Sequence, residues 1–231
     1  MNARMQTAAY QPSLSLLRLL QLCSVNMPVG AYAFSQGLET AVEEGWLKNV
    51  EDTYRWLQQQ LEQSIAQCDL PILRRQMAML TRGDLEGYFH WNDFVLACRE
   101  TNELRLTDTA TGRALIRVLV SLGIDKPTGQ SGDVSFVTAF ALAASHWHID
   151  EEDACLGYAW SWLENQVAAA TKLVPLGQTQ AQQLLQEIQP ALVNAIEVSA
   201  RCEDQAIGAS MPALAIASCW HEQQYSRLFR S

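Results

Sequence analysis

The sequence has few charged residues and no run of basic ones. Lys, Arg, Asp and Glu make up 18% of the 231 residues, and the net charge at pH 7 is −9. The phosphate backbone of a nucleic acid repels an acidic surface, and contacts to it need clustered Lys or Arg side chains. Both features argue against nucleic-acid binding.

The cysteines are widely spaced, and no long apolar run is present. None of the six cysteines forms a CxxC pair or stands at zinc-finger spacing, which favours reduced, mostly buried thiols in a cytosolic protein. Residues 1–13 lack a basic segment followed by an apolar one, so we expect no signal peptide and a cytoplasmic location. The longest apolar run, from Phe136 to Ala144, is far shorter than the ~20 residues of a membrane span. We therefore expect no membrane association.

Strand signals are almost absent as well. No segment alternates apolar and polar side chains with β-branched enrichment, and no Asn-Gly or Asp-Gly turn occurs. Apolar side chains instead recur every three or four positions, as at Tyr54, Leu57, Leu61 and Ile65. The sequence predicts an all-α, single-domain bundle of about ten helices over residues 13–231, with no sheet and with residues 1–12 flexible.

Capping residues predict where several helices begin. Asn49 and Asp150 each precede acidic residues, a pattern typical of a helix N-terminus. Asp69 stands before a proline that the first turn of a helix tolerates, which predicts another start. Three further spans are expected to be helical: 92–105, the stretch from Thr107 or Asp108 to Leu122, and 190–202.

No catalytic motif is present. The chain lacks the phosphate loop GxxxxGK[ST], the dinucleotide motif GxGxxG, the nucleophile elbow GxSxG and the zinc motif HExxH. The loop from Gly123 to Gly132 carries Lys126 and Thr128 in the wrong order to cradle a phosphate. We therefore expect neither enzymatic activity nor GTP hydrolysis, and an all-α enzyme of unrecognised class is kept as an alternative.

His146 and His148 form a His-x-His pair, followed by Asp150 and Glu151. Imidazole and carboxylate ligands suit nickel or zinc. Positions i and i+2 of a helix face apart, so the two histidines could share a metal only at a helix end or in a loop. The simpler interpretation is two polar residues that close a helix. We expect no metal or cofactor site of the chain's own, and a nickel carrier that uses this pair is a second alternative.

Two segments are unusual for a helical protein. Residues 26–39, NMPVGAYAFSQGLE, form an irregular link in which Val29, Tyr32 and Phe34 are apolar, so the link either covers the core or faces a partner. Residues 222–231, EQQYSRLFRS, combine large apolar side chains with two arginines where a terminus is usually polar. We expect this tail to have no core to join and to dock on a partner. The alternative is that it packs on its own domain.

The segment RETNELR, residues 99–105, places charges among apolar neighbours. In the helix expected over residues 92–105, Arg99 and Glu103 are four positions apart and could pair on one face. Taken alone, the pattern is typical of a solvated helix face.

Four stretches form a recognisable series over nearly the whole chain. They are LLQLCSVNMPVGAYAFSQGLETAVEEGWL (19–47), RETNELR (99–105), KLVPLGQTQAQQLL (172–185) and HEQQYSRLFRS (221–231). In this order they resemble the urease accessory protein UreF family. Two departures stand out. The family often has Ser-Tyr-Ser where this chain has Ala33-Phe34-Ser35, and it usually has Met-Arg where this chain has Cys219-Trp220.

The resemblance implies an all-α co-chaperone without known enzymatic activity. Members of the family act with UreD, also called UreH, and with the GTPase UreG in the assembly that inserts nickel into apo-urease. They link these two partners, are proposed to modulate the GTPase, and can dimerise. It follows that nickel passes through the assembly, that GTP is bound by UreG, and that a homodimer is expected.

The resemblance also implies a set of partner-binding residues, although the prolines and glycines among them could instead only fix turns. From the four stretches in order, the set is Pro28, Gly30, Ser35, Gly37 and Glu39; Arg99, Glu100 and Glu103; Lys172, Pro175, Gly177 and Gln178; and Glu222, Tyr225, Ser226, Arg227, Leu228, Phe229 and Arg230.

Overall fold

The structure is a computed structural model that describes residues 14–128, 132–208 and 210–230. All regular structure in these ranges is helical, so the prediction of an all-α fold without a sheet is confirmed. The segment 1–12, predicted to be flexible, lies outside the described residues. The α-helices are α1 Leu14–Leu22, α2 Leu38–Glu43, α3 Val50–Gln60, α4 Leu70–Arg82, α5 Leu85–Ala97, α6 Asn102–Ser121, α7 Phe136–His146, α8 Glu151–Leu173, α9 Gln178–Ala200 and α10 Pro212–His221.

Helix α7 lies at the centre of the core. Its residues from Val137 to Ala144 are all buried, and it packs against α4 and α6, while α8 packs against α9. Gly112 of α6 allows the closest approach, because a Cβ atom there would lie 2.2 Å from the carbonyl oxygen of Val134. One hydrophobic cluster contains buried side chains from Leu19 to Phe229. Within the described ranges, none of the helices has both the length and the apolar character of a membrane span.

Two of the predicted helix starts are confirmed. Asn49 caps α3, and its side chain accepts a hydrogen bond from the backbone nitrogen of Asp52 at 2.9 Å. Asp150 caps α8 in the same way, with the backbone nitrogen of Glu152 at 3.0 Å. Acidic residues follow both caps, where they face the positive end of the helix dipole.

The predicted start at Asp69 is wrong, because the chain is helical from Val50 to Arg82 without a break. A π-helix, Leu61–Asp69, joins α3 to α4, and Asp69 keeps helical dihedral angles of φ −65° and ψ −51°. The wider turns of a π-helix change which residues face inward. Here Cys68 and Asp69 are both buried in the middle of a long helical rod.

The expected helix over residues 92–105 is also wrong, because the chain breaks after Ala97. Helix α6 begins at Asn102, and the hydroxyl of Thr101 caps it by accepting from the backbone nitrogen of Leu104 at 3.1 Å. Because of this cap, α6 begins before Thr107 and Asp108, the two residues expected at its start. Both of these residues lie inside α6.

Helix α9 begins at Gln178, twelve positions before the expected start at Pro190. Proline inside a helix removes one hydrogen bond and costs about 3 kcal/mol. Pro190 lies on the exposed side, and the opposite face is buried at Leu184, Leu185, Ile188 and Leu192. Burial of the continuous apolar face offsets the cost of the proline.

Candidate functional site

The link between α1 and α2 adopts a tight, glycine-dependent path. Gly30 and Gly37 have φ values of +76° and +81°, in the left-handed region that favours glycine. Gly37 also packs closely on α10, since a Cβ atom there would lie 3.0 Å from Cδ1 of Leu214. Ser35 is fully buried, and its hydroxyl accepts from the backbone nitrogen of Glu39 at 3.4 Å. The link therefore directs Glu39 into the interior, toward α10.

His221 is buried between the carboxylates of Glu39 and Glu103. Its Nε2 atom lies 3.1 Å from Oε2 of Glu39, and its Nδ1 atom lies 2.9 Å from Oε2 of Glu103. The imidazole is fully buried, and both carboxylate side chains are less than a tenth exposed. Because each ring nitrogen faces a carboxylate oxygen, both nitrogens donate when the ring carries two protons. The His221 ring therefore joins α2, α6 and α10 at one point.

The C-terminal tail completes this cluster. Nη1 of Arg227 lies 3.0 Å from Oε1 of Glu103, so this buried carboxylate faces the Arg227 guanidinium as well as the His221 ring. The other carboxylate, Glu39, accepts from the backbone nitrogens of Leu228 at 2.6 Å and of Phe229 at 2.9 Å. Charge-assisted hydrogen bonds of this kind are among the stronger ones in proteins. The tail is thus held by its backbone and by one arginine.

The expectation that the tail has no core to join is wrong for Phe229. This side chain is 5% exposed and belongs to the hydrophobic core, and Nζ of Lys172 lies 5.3 Å from the centre of its ring. The backbone nitrogen of Arg230 donates to the carbonyl oxygen of Ala33 at 2.8 Å, which ties the tail to the link. Tyr225 is fully exposed and Leu228 is 64% exposed. Docking of the tail on a partner stays a prediction, and these two side chains are free to make it.

Arg99 does not pair with Glu103, because the break before α6 separates them. The Arg99 guanidinium instead contacts Asp69 and Asp108, each at 2.8 Å. Burial opposes its charge, but the adjacent Asp108 and Asp69 raise the pKa of Arg99 well above its usual value. The Tyr158 hydroxyl donates to Asp69 at 2.8 Å. This second buried cluster holds the π-helix, α6 and α8 together.

The remaining residues of the predicted set lie mostly at the surface. Lys172 and Gly177 flank the turn between α8 and α9, where the backbone nitrogen of Gly177 donates to the side chain of Gln180 at 2.9 Å. Glu100 accepts from the hydroxyl of Ser210 at 2.6 Å. The structure brings Glu39, Glu103 and the tail together. Of the residues in this paragraph, Lys172 contacts the tail, at the Phe229 ring, whereas Glu100 and Gly177 lie outside that cluster. Other exposed members of the set are Pro28, Pro175, Gln178, Glu222, Ser226 and Arg230.

His146 and His148 are exposed at the C-terminal end of α7. His148 has a positive φ of +52°, in the turn that leads to α8. Among the described residues, no group of three or more His, Cys, Asp or Glu side chains is placed to hold a metal ion. The nickel-carrier alternative gains no support from the position of these two histidines.

Sequence reasoning missed three of the central residues, although helical spacing contained the signal. His221 continues the buried positions Leu214, Ala217 and Ser218 of α10 at intervals of three and four. Asp69 is likewise the next step after Leu61 and Ile65 in the apolar stripe. Asp108 was expected near a helix start, yet it lies buried within α6 beside Arg99. A charged side chain on an apolar stripe indicates a buried partner.

The fold and this site define an all-α protein whose buried ion pairs fix a link and a tail at its surface. A family model described as UreF matches residues 47–189. The chain is 58% identical to the urease accessory protein UreF of Marinomonas sp., over 94% of each chain. It is 51% identical to the protein of the same name from Teredinibacter turnerae, over 94% of this chain and 98% of that one. The chain belongs to the UreF family, which confirms the resemblance seen in its motifs.

Proposed function

We propose that this chain is a non-catalytic scaffold of urease maturation. It links UreD, also called UreH, to the GTPase UreG in the assembly that inserts nickel into apo-urease, and it modulates GTP hydrolysis by UreG. In this proposal the assembly is cytoplasmic and contains two copies of the chain. Nickel passes through the assembly, and the GTP is bound by UreG.

Membership of the UreF family is the first support, since relatives matched over nearly their full length are named urease accessory proteins. The second support is the chemistry of the sequence, which lacks a phosphate loop and a nucleophile motif. A protein of this composition can influence GTP hydrolysis only through a partner that binds the nucleotide.

The observation that carries the proposal is the geometry of the tail. Glu39 holds the backbone of Leu228 and Phe229, so the path of the tail is fixed before any partner arrives. Tyr225 and Leu228 nevertheless project into solvent. Fixing a segment in advance lowers the entropy lost on binding, and exposed aromatic and aliphatic side chains are typical anchors of an interface.

The test is capture of UreD by the double variant Tyr225→Ala and Leu228→Ala. Burial of each side chain contributes about 1.5–3 kcal/mol, and a loss of about 2.7 kcal/mol weakens a complex about a hundredfold. Both side chains are exposed, so the free protein should keep its melting temperature. Val193→Ala, at a half-exposed valine of α9, is the matched control. Wild-type affinity in the double variant would remove the tail from the UreD interface.

Release of phosphate from GTP tests two parts of the proposal: that the chain itself is not catalytic, and that it modulates GTP hydrolysis by UreG. The chain alone should release none. UreG should hydrolyse GTP at a different rate once this chain and UreD are added. Turnover by the chain alone that survives repurification and is lost in Lys126→Ala would contradict the proposal.

A further inference from the structure

Two cysteines meet where the π-helix contacts the end of α5. Cys68 lies in the π-helix and is 3% exposed, whereas Cys98 follows α5 and is partly exposed. Gly208 connects them, because it lies beside the Cys98 sulfur and its backbone nitrogen donates to the carbonyl oxygen of Gln67, the residue before Cys68, at 3.0 Å. The next residues in the chain, Asp69 and Arg99, form the 2.8 Å ion pair described above. These two contacts hold the segments that carry the thiols together.

Both thiols line the same cavity. The cavity has a volume of about 130 Å³, and Arg99 and Tyr158 contribute to its wall. That is room for more than one water molecule, and so for a small hydroperoxide. Gly208 passes over Cys98, since a Cβ atom at Gly208 would lie 3.6 Å from the Cys98 sulfur.

The two thiols differ in how easily they ionise. Interaction with the Cys68 thiol lowers the pKa of Cys98 to about 7 against the opposing effect of burial, and Arg99 acts in the same direction. The same interaction, together with burial, raises the pKa of Cys68 well above its usual range. Cys98 is therefore the thiol of the pair that ionises more readily. Burial raises the pKa of both Cys23 and Cys155 to about 12, so those two thiols stay protonated.

We propose that Cys68 and Cys98 are a redox-sensitive pair that a hydroperoxide converts into an intramolecular disulfide. The Cys98 thiolate attacks one oxygen of the hydroperoxide and the O–O bond breaks. The departing alkoxide, or hydroxide from hydrogen peroxide, takes a proton from solvent water, so the products are a sulfenic acid and an alcohol or water. The Cys68 sulfur then attacks the sulfenic sulfur, the S–S bond forms, and water leaves with the Cys68 proton. Two thiols are oxidised and one peroxide is reduced. The reaction requires no partner protein.

The position of the pair gives the disulfide a structural consequence. It would join the π-helix covalently to the end of α5, next to the ion pair between Asp69 and Arg99. A covalent link between residues that are far apart in the sequence, such as Cys68 and Cys98, lowers the conformational entropy of the unfolded chain. The oxidised protein should therefore unfold at a higher denaturant concentration than the reduced one.

The test maps disulfides in the full chain after mild treatment with hydrogen peroxide. Free thiols are then alkylated in denaturant, and the digest is analysed by mass spectrometry. We expect the Cys68 and Cys98 peptides to be linked while the other cysteines are alkylated, and a dithiol reductant should reverse the link. In Cys68→Ser, Cys98 should stop at the sulfenic acid, which dimedone traps. Cys219→Ser, which removes an exposed thiol, is the matched control and should form the link as the wild type does.

Two results would overturn the proposal. One is oxidation of Cys202 or Cys219 under conditions that leave both members of the pair open to alkylation. The other is a disulfide between two copies of the chain in place of the intramolecular one. A measurement on the unmodified protein avoids any folding defect of the variants: alkylation of Cys98 should accelerate with pH around pH 7, well below the range of an ordinary thiol.

Discussion

His221 connects three segments that lie far apart in the sequence. Its ring contacts Glu39 of α2 and Glu103 of α6, and the same carboxylates bind the tail. Burying one carboxylate is costly unless a cation and hydrogen-bond donors compensate it. The cluster satisfies both carboxylates, so its stability depends on all of its members.

Replacing His221 by Ala should destabilise the protein by about 3 kcal/mol, because it leaves two buried carboxylates without the hydrogen bonds of the ring. His221→Gln restores a hydrogen-bond donor without the ring, and should recover only part of the loss. The measurement is the free energy of unfolding in urea. His90→Ala, at an exposed histidine of α5, is the control. A loss no larger than in His90→Ala would contradict the role of His221 in holding the cluster together.

Gly37 and Gly30 allow the effect of packing to be separated from that of backbone strain. Both have positive φ, so Gly→Ala costs about 1–2 kcal/mol at either position. At Gly37 the new methyl group would also press on Leu214, whereas at Gly30 nothing lies within 4 Å. Gly37→Ala should therefore lower the free energy of unfolding by more than Gly30→Ala does. Equal losses in urea titrations would show that the contact with α10 is easily relaxed.

At the scale of elements, the tail has an inner and an outer side. Phe229 faces the core, whereas Tyr225 and Leu228 face solvent. Deletion of residues 222–231 would remove both sides at once. Lost binding in such a truncated protein could not be separated from lost stability, so point substitutions are the sharper test.

Phe229→Ala should destabilise the protein by about 3 kcal/mol, the range for a buried aromatic side chain. At about 2–4 °C per kcal/mol for a chain of this size, the melting temperature should fall by roughly 6–12 °C. Leu228→Ala, at the neighbouring exposed position, should change the free energy of unfolding by no more than ~0.5 kcal/mol. Thermal unfolding followed by circular dichroism compares the two. Similar melting temperatures would mean that the tail does not stay on the core in solution.

The helix boundaries show which elements local signals can predict. Asn49 and Asp150 were predicted correctly because a cap acts on the residues directly after it. Asp69 has the same local appearance, but apolar positions on both sides continue the helix through it. Pro190 was misjudged for a similar reason, since burial of one face of α9 outweighs the local penalty.

For the whole molecule, the scattered His and Cys residues lead us to expect weak nickel binding. His146 and His148 are exposed at a helix end, without a third ligand grouped with them among the described residues. Calorimetry on the reduced protein should give a dissociation constant weaker than ~1 µM. The control is the double variant His146→Ala and His148→Ala. Tighter binding that this variant abolishes would favour the nickel-carrier alternative.

The sequence by itself determined the helical class, the UreF family and the four motifs. The helical spacing of apolar residues and the order of the motifs depend only on the order of residues along the chain. It also placed Glu39, Glu103 and the tail among the residues of interest. Only the tertiary structure decided that these meet around His221, and that Arg99 binds Asp69 and Asp108 instead of Glu103. The partner of a buried charge is chosen by how the helices pack, and that choice depends on contacts between residues more than a hundred positions apart, such as Glu103 and His221.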